Sequence, residues 1–352
     1  MQQQTALFLP SKNGEYSLGT RPIPQPSQGE LLVKVKAAAL NPEDWKIQKY
    51  GWPFEEYPTV AGIDISGEVV ALGPGITRFT VGDQVFGQGM YSPDYAGFQE
   101  YSVMKEDFTA KVPQSLSYEE ASTFPVALSA AYLLFFNEAP HGMGLKPLDS
   151  SRRKKHYEGE PILVIGHGGS SSVGQYVIQL AKAAGFSPII TTASQRHTEK
   201  LKALGATHII ERTIPLTSIR SHLAEILNTS TAATGGLFGY IYDAISEKET
   251  QLAAYDLLRP SGKLAIVLPS IIETKSEDRH IVWTMGAPNI PHNTAGAKEL
   301  FSLVTSMIEN GVLMPTEIEI LPGGLGGIVD GLKILEAGKV SGKKLVVRPE
   351  EQ

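Results

Sequence analysis

The segment LVIGHGGSSSVGQYVIQLAKAAG, residues 163–185, begins as an apolar strand, loses nearly all its side chains over Gly168, Gly169, Ser170, Ser171 and Ser172, and continues as an amphipathic helix. So bare a turn marks a backbone that something must approach closely. The alternation then repeats, predicting strand 162–166, helix 173–184, strand 188–192, helix 196–204, strand 207–210, helix 217–228, strand 238–243, helix 248–258 and strand 263–268. Strands separated by helices of this length pair in parallel, because each helix carries the chain back across a face of the sheet. The expected architecture for this region is α/β, a doubly wound parallel sheet.

The residues before it follow a different rule. ELLVKVKAAAL (30–40), DISGEVVALG (64–73), GDQVFGQG (82–89) and FQEYSVM (98–104) are β-rich, partly alternating and punctuated by Pro and Gly. They predict a smaller, mostly antiparallel domain. From Ser117 the period turns helical in SYEEASTFPVALSAAYLLFF, where Ser117 and Glu120 have the spacing of a capping box. The tail predicts helix 295–309, strand 316–320, helix 325–336 and strand 343–348, pieces expected to return to the first domain. Between the two patterns, residues 137–161 read as an exposed loop. Its Arg152–Lys155 run is most simply a solvated surface, with docking of an acidic partner as the alternative.

A chain of 352 residues suffices for two domains of roughly 100–200 residues each. A net charge of −6 argues against a nucleic-acid surface. The absence of cysteine removes disulfides, thiolate nucleophiles and cysteine-held zinc. The opening MQQQTALFLPSKNG has neither the basic flank nor the apolar core of a signal peptide, and no run nears the ~20 apolar residues of a membrane span. The expectation is a cytoplasmic protein, monomeric or homodimeric, with neither nucleic acid nor membrane as partner.

In a dinucleotide fold the first strand ends in a glycine-rich turn, and the following helix aims its N-terminus at a pyrophosphate. Gly168, Gly169, Ser170, Ser171, Ser172 and Val173 are the candidates for that cradle, with Ser171 expected to donate its hydroxyl to phosphate. An ordinary tight β–α turn would look similar; the four β–α units that follow favour the cofactor reading. The second strand, in PIITTASQRHTEKLKALGA, ends without the Asp or Glu that would bind a ribose 2′-hydroxyl. Thr192, Ser194, Arg196 and His197 gather there instead, hydroxyl and cationic groups suited to a 2′-phosphate, which favours NADPH over NADH. Each alone reads equally well as a helix cap or a solvent-facing cation.

Several stretches also coincide in order and spacing: LNPEDWK (40–46), PTVAGIDISGEVVALGPGITRFTVGDQVFG (58–87), AGFQEYSVM (96–104), the Gly/Ser turn, LKALGA (201–206) and SGKKLVV (341–347). Together, over essentially the whole chain, they resemble the medium-chain dehydrogenase/reductase superfamily. Gly67, Val70, Gly82, Asp83 and Val85 have the spacing of its GroES-like domain. NPEDWK, GGSSSVGQYVIQLAK and TASQRH are similar to its zinc-free fungal branch, the ToxD-like proteins and the trans-acting enoyl reductases that serve polyketide synthases. The resemblance implies a GroES-like domain over 1–125 and 290–352 and a Rossmann domain over 126–289.

Zinc-dependent members place Cys where Asn41 stands and Gly-His-Glu where Gly62, Ile63 and Asp64 stand, so the resemblance implies no metal. It implies NADPH-dependent reduction of the C=C bond of an α,β-unsaturated carbonyl or thioester, free or carrier-bound, with a polyketide synthase as partner. A quinone or 2-alkenal reductase of the same branch, and a non-enzymatic NADPH-binding protein, stay open beside it. For catalysis it points to Lys46 as donor to the enolate oxygen, Asn41 as an orienting amide, Ser129 as a hydroxyl near the nicotinamide, and Tyr50 as a second proton donor. Asp44 and Trp45, expected to shape an Asn-Pro turn, join Lys46, Leu268 and Ser341 as cofactor contacts. Phe98 and Trp283 are expected to wall an apolar substrate groove.

Overall fold

A computed structural model of the chain describes residues 2–148, 155–166, 168–230, 235–273, 276 and 278–351. Arg152, Arg153 and Lys154 of the basic run lie outside the described residues. The chain divides into two units: Met1–Ser129 with Ala287–Gly311 and Pro315–Gln352, and Ala130–Gly286 with Val312–Met314.

The first unit opens on strands β1 (Gln3–Leu9) and β2 (Ser17–Pro22), an antiparallel pair that the sequence pattern did not announce. β3 (Glu30–Ala39) turns Leu31, Val33 and Val35 into the core. The Asn-Pro segment expected as a turn is the start of a helix, α1 (Pro42–Tyr50). Asn41 is its N-cap in extended backbone, and Pro42 takes the first helical position, where a missing N–H costs nothing. β4 (Thr59–Val60) pairs with β1, and β5 (Asp64–Leu72), β6 (Gln84–Gln88), β7 (Tyr101–Lys105) and β8 (Thr109–Lys111) follow.

The Ser117 capping box forms, with Ser117 N–H donating to Glu120 Oε2 at 2.9 Å and Glu120 N–H to Ser117 Oγ at 3.2 Å. The helix it begins is broken in two, α2 (Tyr118–Ala121) and α3 (Pro125–Phe136), at a proline that has no N–H to continue the ladder.

The second unit runs β9 (Ile162–Ile165), α4 (Ser172–Ala184), β10 (Ile189–Ala193), α5 (Thr198–Leu204), β11 (His208–Glu211), α6 (Ile219–Ile226), β12 (Phe238–Asp243), α7 (Lys248–Leu257), β13 (Leu258–Ile266) and β14 (His280–Trp283). All its strands pair in parallel, in the order β11-β10-β9-β12-β13-β14. The order reverses between β9 and β12, which makes the carboxyl ends of those strands the binding crevice of such a sheet. Leu163, Ile165, Ile190, Ile241, Leu264 and Ile266 are its buried core, each contributing about 1.5–3 kcal/mol by leaving water.

The tail supplies α8 (Thr294–Glu309), β15 (Glu317–Ile320), α9 (Gly324–Glu336) and β16 (Lys343–Val347). β16 pairs antiparallel with β3 and parallel with β15, completing a sheet ordered β15-β16-β3-β5-β6-β8 with β7 also on β3. Leu325, Ile328 and Leu332 of α9 join Leu40, Ile65, Leu345 and Val347 in the core beneath it. No described helix is long and apolar enough to cross a membrane.

Candidate active site

The bare turn after β9 is a single 3-10 turn over Gly168–Ser170, with Ser171 as N-cap of α4. The chain itself explains both glycines of the turn and Gly174 of α4: a Cβ on Gly168 would crowd Ala244 Cβ at 2.7 Å. A Cβ on Gly169 would overlap Thr191 Oγ1 of β10, and one on Gly174 would overlap the carbonyl oxygen of Gly168. The turn is therefore pressed against β10 from one side and the first turn of α4 from the other. Ser171 was expected to offer its hydroxyl to a phosphate. That hydroxyl instead donates to Gly168 O at 2.7 Å and accepts the Gly174 N–H at 3.0 Å, so it is spent on the cap. Ser170 O accepts from the Gln175 amide at 2.9 Å, while Ser172 and Val173 begin the helix.

At the end of β10, Ser194 is half-buried and makes no cap bond through its side chain. Arg196 is exposed, its Nε 3.2 Å from His197 Nε2, and Thr192 is buried. The sequence reading treated this strand end as free of acid, which holds for β10 alone. β11 supplies one: Ala193 pairs with Glu211, whose Oε2 accepts the Gln195 N–H at 2.8 Å. The signal was an acid closing the next strand, visible only once the register is known. Leu268 is half-buried two residues beyond β13. Parallel pairing thus brings the Gly168–Val173 segment, Ser194, Arg196, His197 and Leu268 to one edge of the sheet.

In the first unit the polar groups converge on Asp64, which is fully buried. Its Oδ2 accepts from Asn41 Nδ2 at 2.8 Å and pairs with the ammonium of Lys344, while Oδ1 accepts the Val126 N–H at 2.7 Å. Asn41 N–H in turn donates to Asp44 Oδ2 at 2.7 Å. One carboxylate therefore ties α1, β5, β16 and the start of α3 together. Lys344 was not singled out in the sequence; a lysine at the head of the consecutively buried run of β16 was the available sign.

A zinc centre does not fit these residues. Ile63 is a buried apolar side chain, the Asn41 amide nitrogen is committed to Asp64, and Asp64 already has three donors. Among the described residues, no group of three or more His, Cys, Asp or Glu side chains is arranged to hold a metal ion.

Next to this hub, Tyr91 donates to Glu43 Oε2 at 3.0 Å, and Glu43 Oε1 is shielded from solvent without a partner among the described residues. Burial pushes the Glu43 carboxyl up to about 7, outweighing the Tyr91 hydrogen bond, and the negative charge of Asp64 adds to the rise. Burial, then the neighbouring Glu43, hold Asp44 well above the usual carboxylate range. Lys46 is half-buried with its ammonium 5.6 Å from the Trp45 ring centroid, and among the described residues it forms no ion pair. Tyr50 is 57% exposed, its ring 6.5 Å from that of Trp45.

Ser129, on α3, is fully buried, its hydroxyl without a hydrogen-bond partner among the described residues, and Ser341 is half-buried just before β16. Helix α1 thus collects Asn41, Asp44, Trp45, Lys46 and Tyr50. Phe98 does not wall a groove; it is fully buried in the first core, its ring filling the space beside Gly62. Trp283 is 39% exposed on β14.

Residues 27–114 match the alcohol dehydrogenase GroES-like domain family, and residues 172–270 the zinc-binding dehydrogenase family. A trans-enoyl reductase of Fusarium mangiferae is 30% identical, with 97% of this chain and 98% of that protein covered. The enoyl reductase component of the lovastatin nonaketide synthase of Aspergillus terreus is 27% identical, over 99% of this chain and 97% of that one. The solved quinone oxidoreductase of Coxiella burnetii superposes with a TM-score of 0.70 at 26% identity, covering 99% of each chain. The strand order, the glycine-tight turn and these full-length likenesses agree: the chain belongs to the medium-chain dehydrogenase/reductase superfamily and is an oxidoreductase of that family.

Proposed function

We propose that the chain is an NADPH-dependent, metal-independent ene reductase. It reduces the C=C bond of an α,β-unsaturated carbonyl or thioester, as a trans-acting enoyl reductase serving a polyketide synthase. The observation that carries this reading is Asp64: the carboxylate at the position of a ligand motif in zinc-dependent relatives is neutralised by Lys344. With no electrophilic metal for a carbonyl, reduction is directed to a carbon from which charge can delocalise onto oxygen. The names of relatives in Fusarium mangiferae and Aspergillus terreus support the enoyl substrate and the synthase partner.

When bound, the nicotinamide cofactor supplies the hydride for the β carbon. The remaining work falls to the chain. Helical geometry leaves first-turn N–H groups without intrahelical acceptors, and Ser171 takes only that of Gly174. Those of Ser172 and Val173, with the helix dipole, hold the pyrophosphate at the turn of Gly168, Gly169 and Ser170. Ser194, Arg196 and His197 hold the 2′-phosphate, and Asp44, Trp45, Leu268 and Ser341 complete the cofactor contacts.

Lys46 donates to the oxygen on which negative charge develops, and Asn41 orients the carbonyl. Ser129 and Tyr50 are the next donors in line. A quinone or 2-alkenal reductase differs from this reading only in substrate; the fold of the Coxiella burnetii quinone oxidoreductase favours keeping it as the second reading.

The test is NADPH consumption with an enone and with a saturated ketone of the same skeleton. Only the enone should be turned over, and Lys46→Ala should lower kcat by roughly 10²–10³ with KM for NADPH little changed. Turnover of the ketone alone would defeat the reading. A rise confined to the KM for NADPH would move Lys46 from the oxygen to the cofactor.

A further inference from the structure

The acid missing from the end of β10 is present one strand away. Parallel pairing sets Glu211 beside Ala193, and its carboxylate reaches forward to accept the Gln195 N–H at 2.8 Å. Gln195 lies between Ser194 and Arg196, the residues assigned above to the 2′-phosphate. The carboxylate is thus hydrogen-bonded, from the end of β11, to the residue between them. Arg212 follows directly, exposed, its backbone N–H held by Ala193 O at 3.0 Å. The adenosine end of the nucleotide therefore meets a paired constellation, cationic from β10 and acidic from β11.

We infer that Glu211 is a cofactor-specificity determinant, which lowers the preference for a 2′-phosphorylated nucleotide that Ser194 and Arg196 would otherwise impose. This rests on the nicotinamide reading given above. One Glu211 oxygen is fixed by the Gln195 N–H, so the charge cannot swing away when a phosphate arrives. A 2′-phosphate brings about −1.5 to −2 charges, and at a separation of several ångströms in water a single fixed carboxylate weakens its binding about three- to tenfold. The other oxygen is suited to accept the 2′-hydroxyl of an unphosphorylated ribose, the role usually given to an acid on the preceding strand. Glu211 therefore opposes Arg196: one residue favours the phosphorylated nucleotide, the other tolerates its absence.

Glu211→Gln separates charge from structure, because the amide oxygen can still accept the Gln195 N–H. Binding of 2′,5′-ADP and of 5′-AMP to the full chain is measured by calorimetry at low and high salt, with no turnover needed. The variant should bind 2′,5′-ADP about three- to tenfold more tightly than the wild type at low salt, and less so at high salt. Its affinity for 5′-AMP should be unchanged or slightly weaker. An unchanged ratio of the two affinities, or an equal change in both, would overturn the inference and leave the nucleotide site standing. If neither ligand binds the wild type, the nucleotide reading falls and the inference with it.

Discussion

Arg196 and Glu43 carry the two sharpest expectations for single side chains. Arg196 is exposed, and among the described residues its side chain is held only through His197, so its removal disturbs little of the fold. Arg196→Ala should cost roughly 1–3 kcal/mol of NADPH binding and leave NADH binding nearly unchanged. Fluorescence titration with both cofactors checks this, and equal losses would show that Arg196 does not read the phosphate.

Glu43 bears on pH instead. The fold raises its carboxyl from 4.5 to about 7, chiefly by burial, so the folded state favours the protonated form. The stability this contributes is present in full below 4.5 and is lost as pH rises through about 7. Glu43→Gln keeps a neutral side chain there. Its urea midpoint should therefore gain on that of the wild type between about pH 5 and pH 8. A difference that stays constant across the range would place the titration elsewhere.

At this scale the sequence was a partial guide. Asn41, Asp44 and Lys46 were legible as a group from NPEDWK, whereas Lys344 and Glu211 were not, since each acts on a residue that only strand pairing brings near. The Ser171 hydroxyl caps α4 in this structure, a role that a serine after glycines fits as well as it fits a phosphate.

Among the elements, the Asp64 hub is the most exposed to a single change. It joins α1, β5, β16 and α3 through one carboxylate, with Lys344 as its buried cation. Lys344→Met leaves Asp64 uncompensated and should destabilise the protein by about 3–5 kcal/mol, whereas replacing both partners by apolar residues of similar volume should cost far less. Urea unfolding of the single and double variants decides it. A single variant within about 1 kcal/mol of wild type would mean the pair is not structurally important.

The helices and strands of the second unit from β9 to β13 were legible because strand and helix alternate regularly, even where the strand is only four residues long, as in β9 and β11. The exceptions have local causes. In the first unit, Asn-Pro reads as a turn although Pro at the first helical position is equally well placed in α1. In the second unit, β14 follows β13 without an intervening helix and so falls outside the alternation, and β13 carries Arg259–Pro260–Ser261 directly after Leu258, where a register shift admits residues that usually signal a turn.

For the whole molecule, the sequence established more about architecture than about chemistry. Alternating strands and helices defined the parallel sheet, and β16 returning to β3 completed the first unit from the far end of the chain. The proposed chemistry rests on a buried ion pair and an amide, Asp64–Lys344 and Asn41, in the first unit and on the parallel sheet of the second. The central claim is that this chain delivers hydride to carbon without a metal. The direct measurement is NMR of the product formed from an α,β-unsaturated ketone and NADPH deuterated at the transferring position, after exhaustive chelation. The account predicts a saturated ketone with deuterium at the β carbon and an undiminished rate. Deuterium on the carbinol carbon of an alcohol, or activity lost on chelation and restored by zinc, would contradict it.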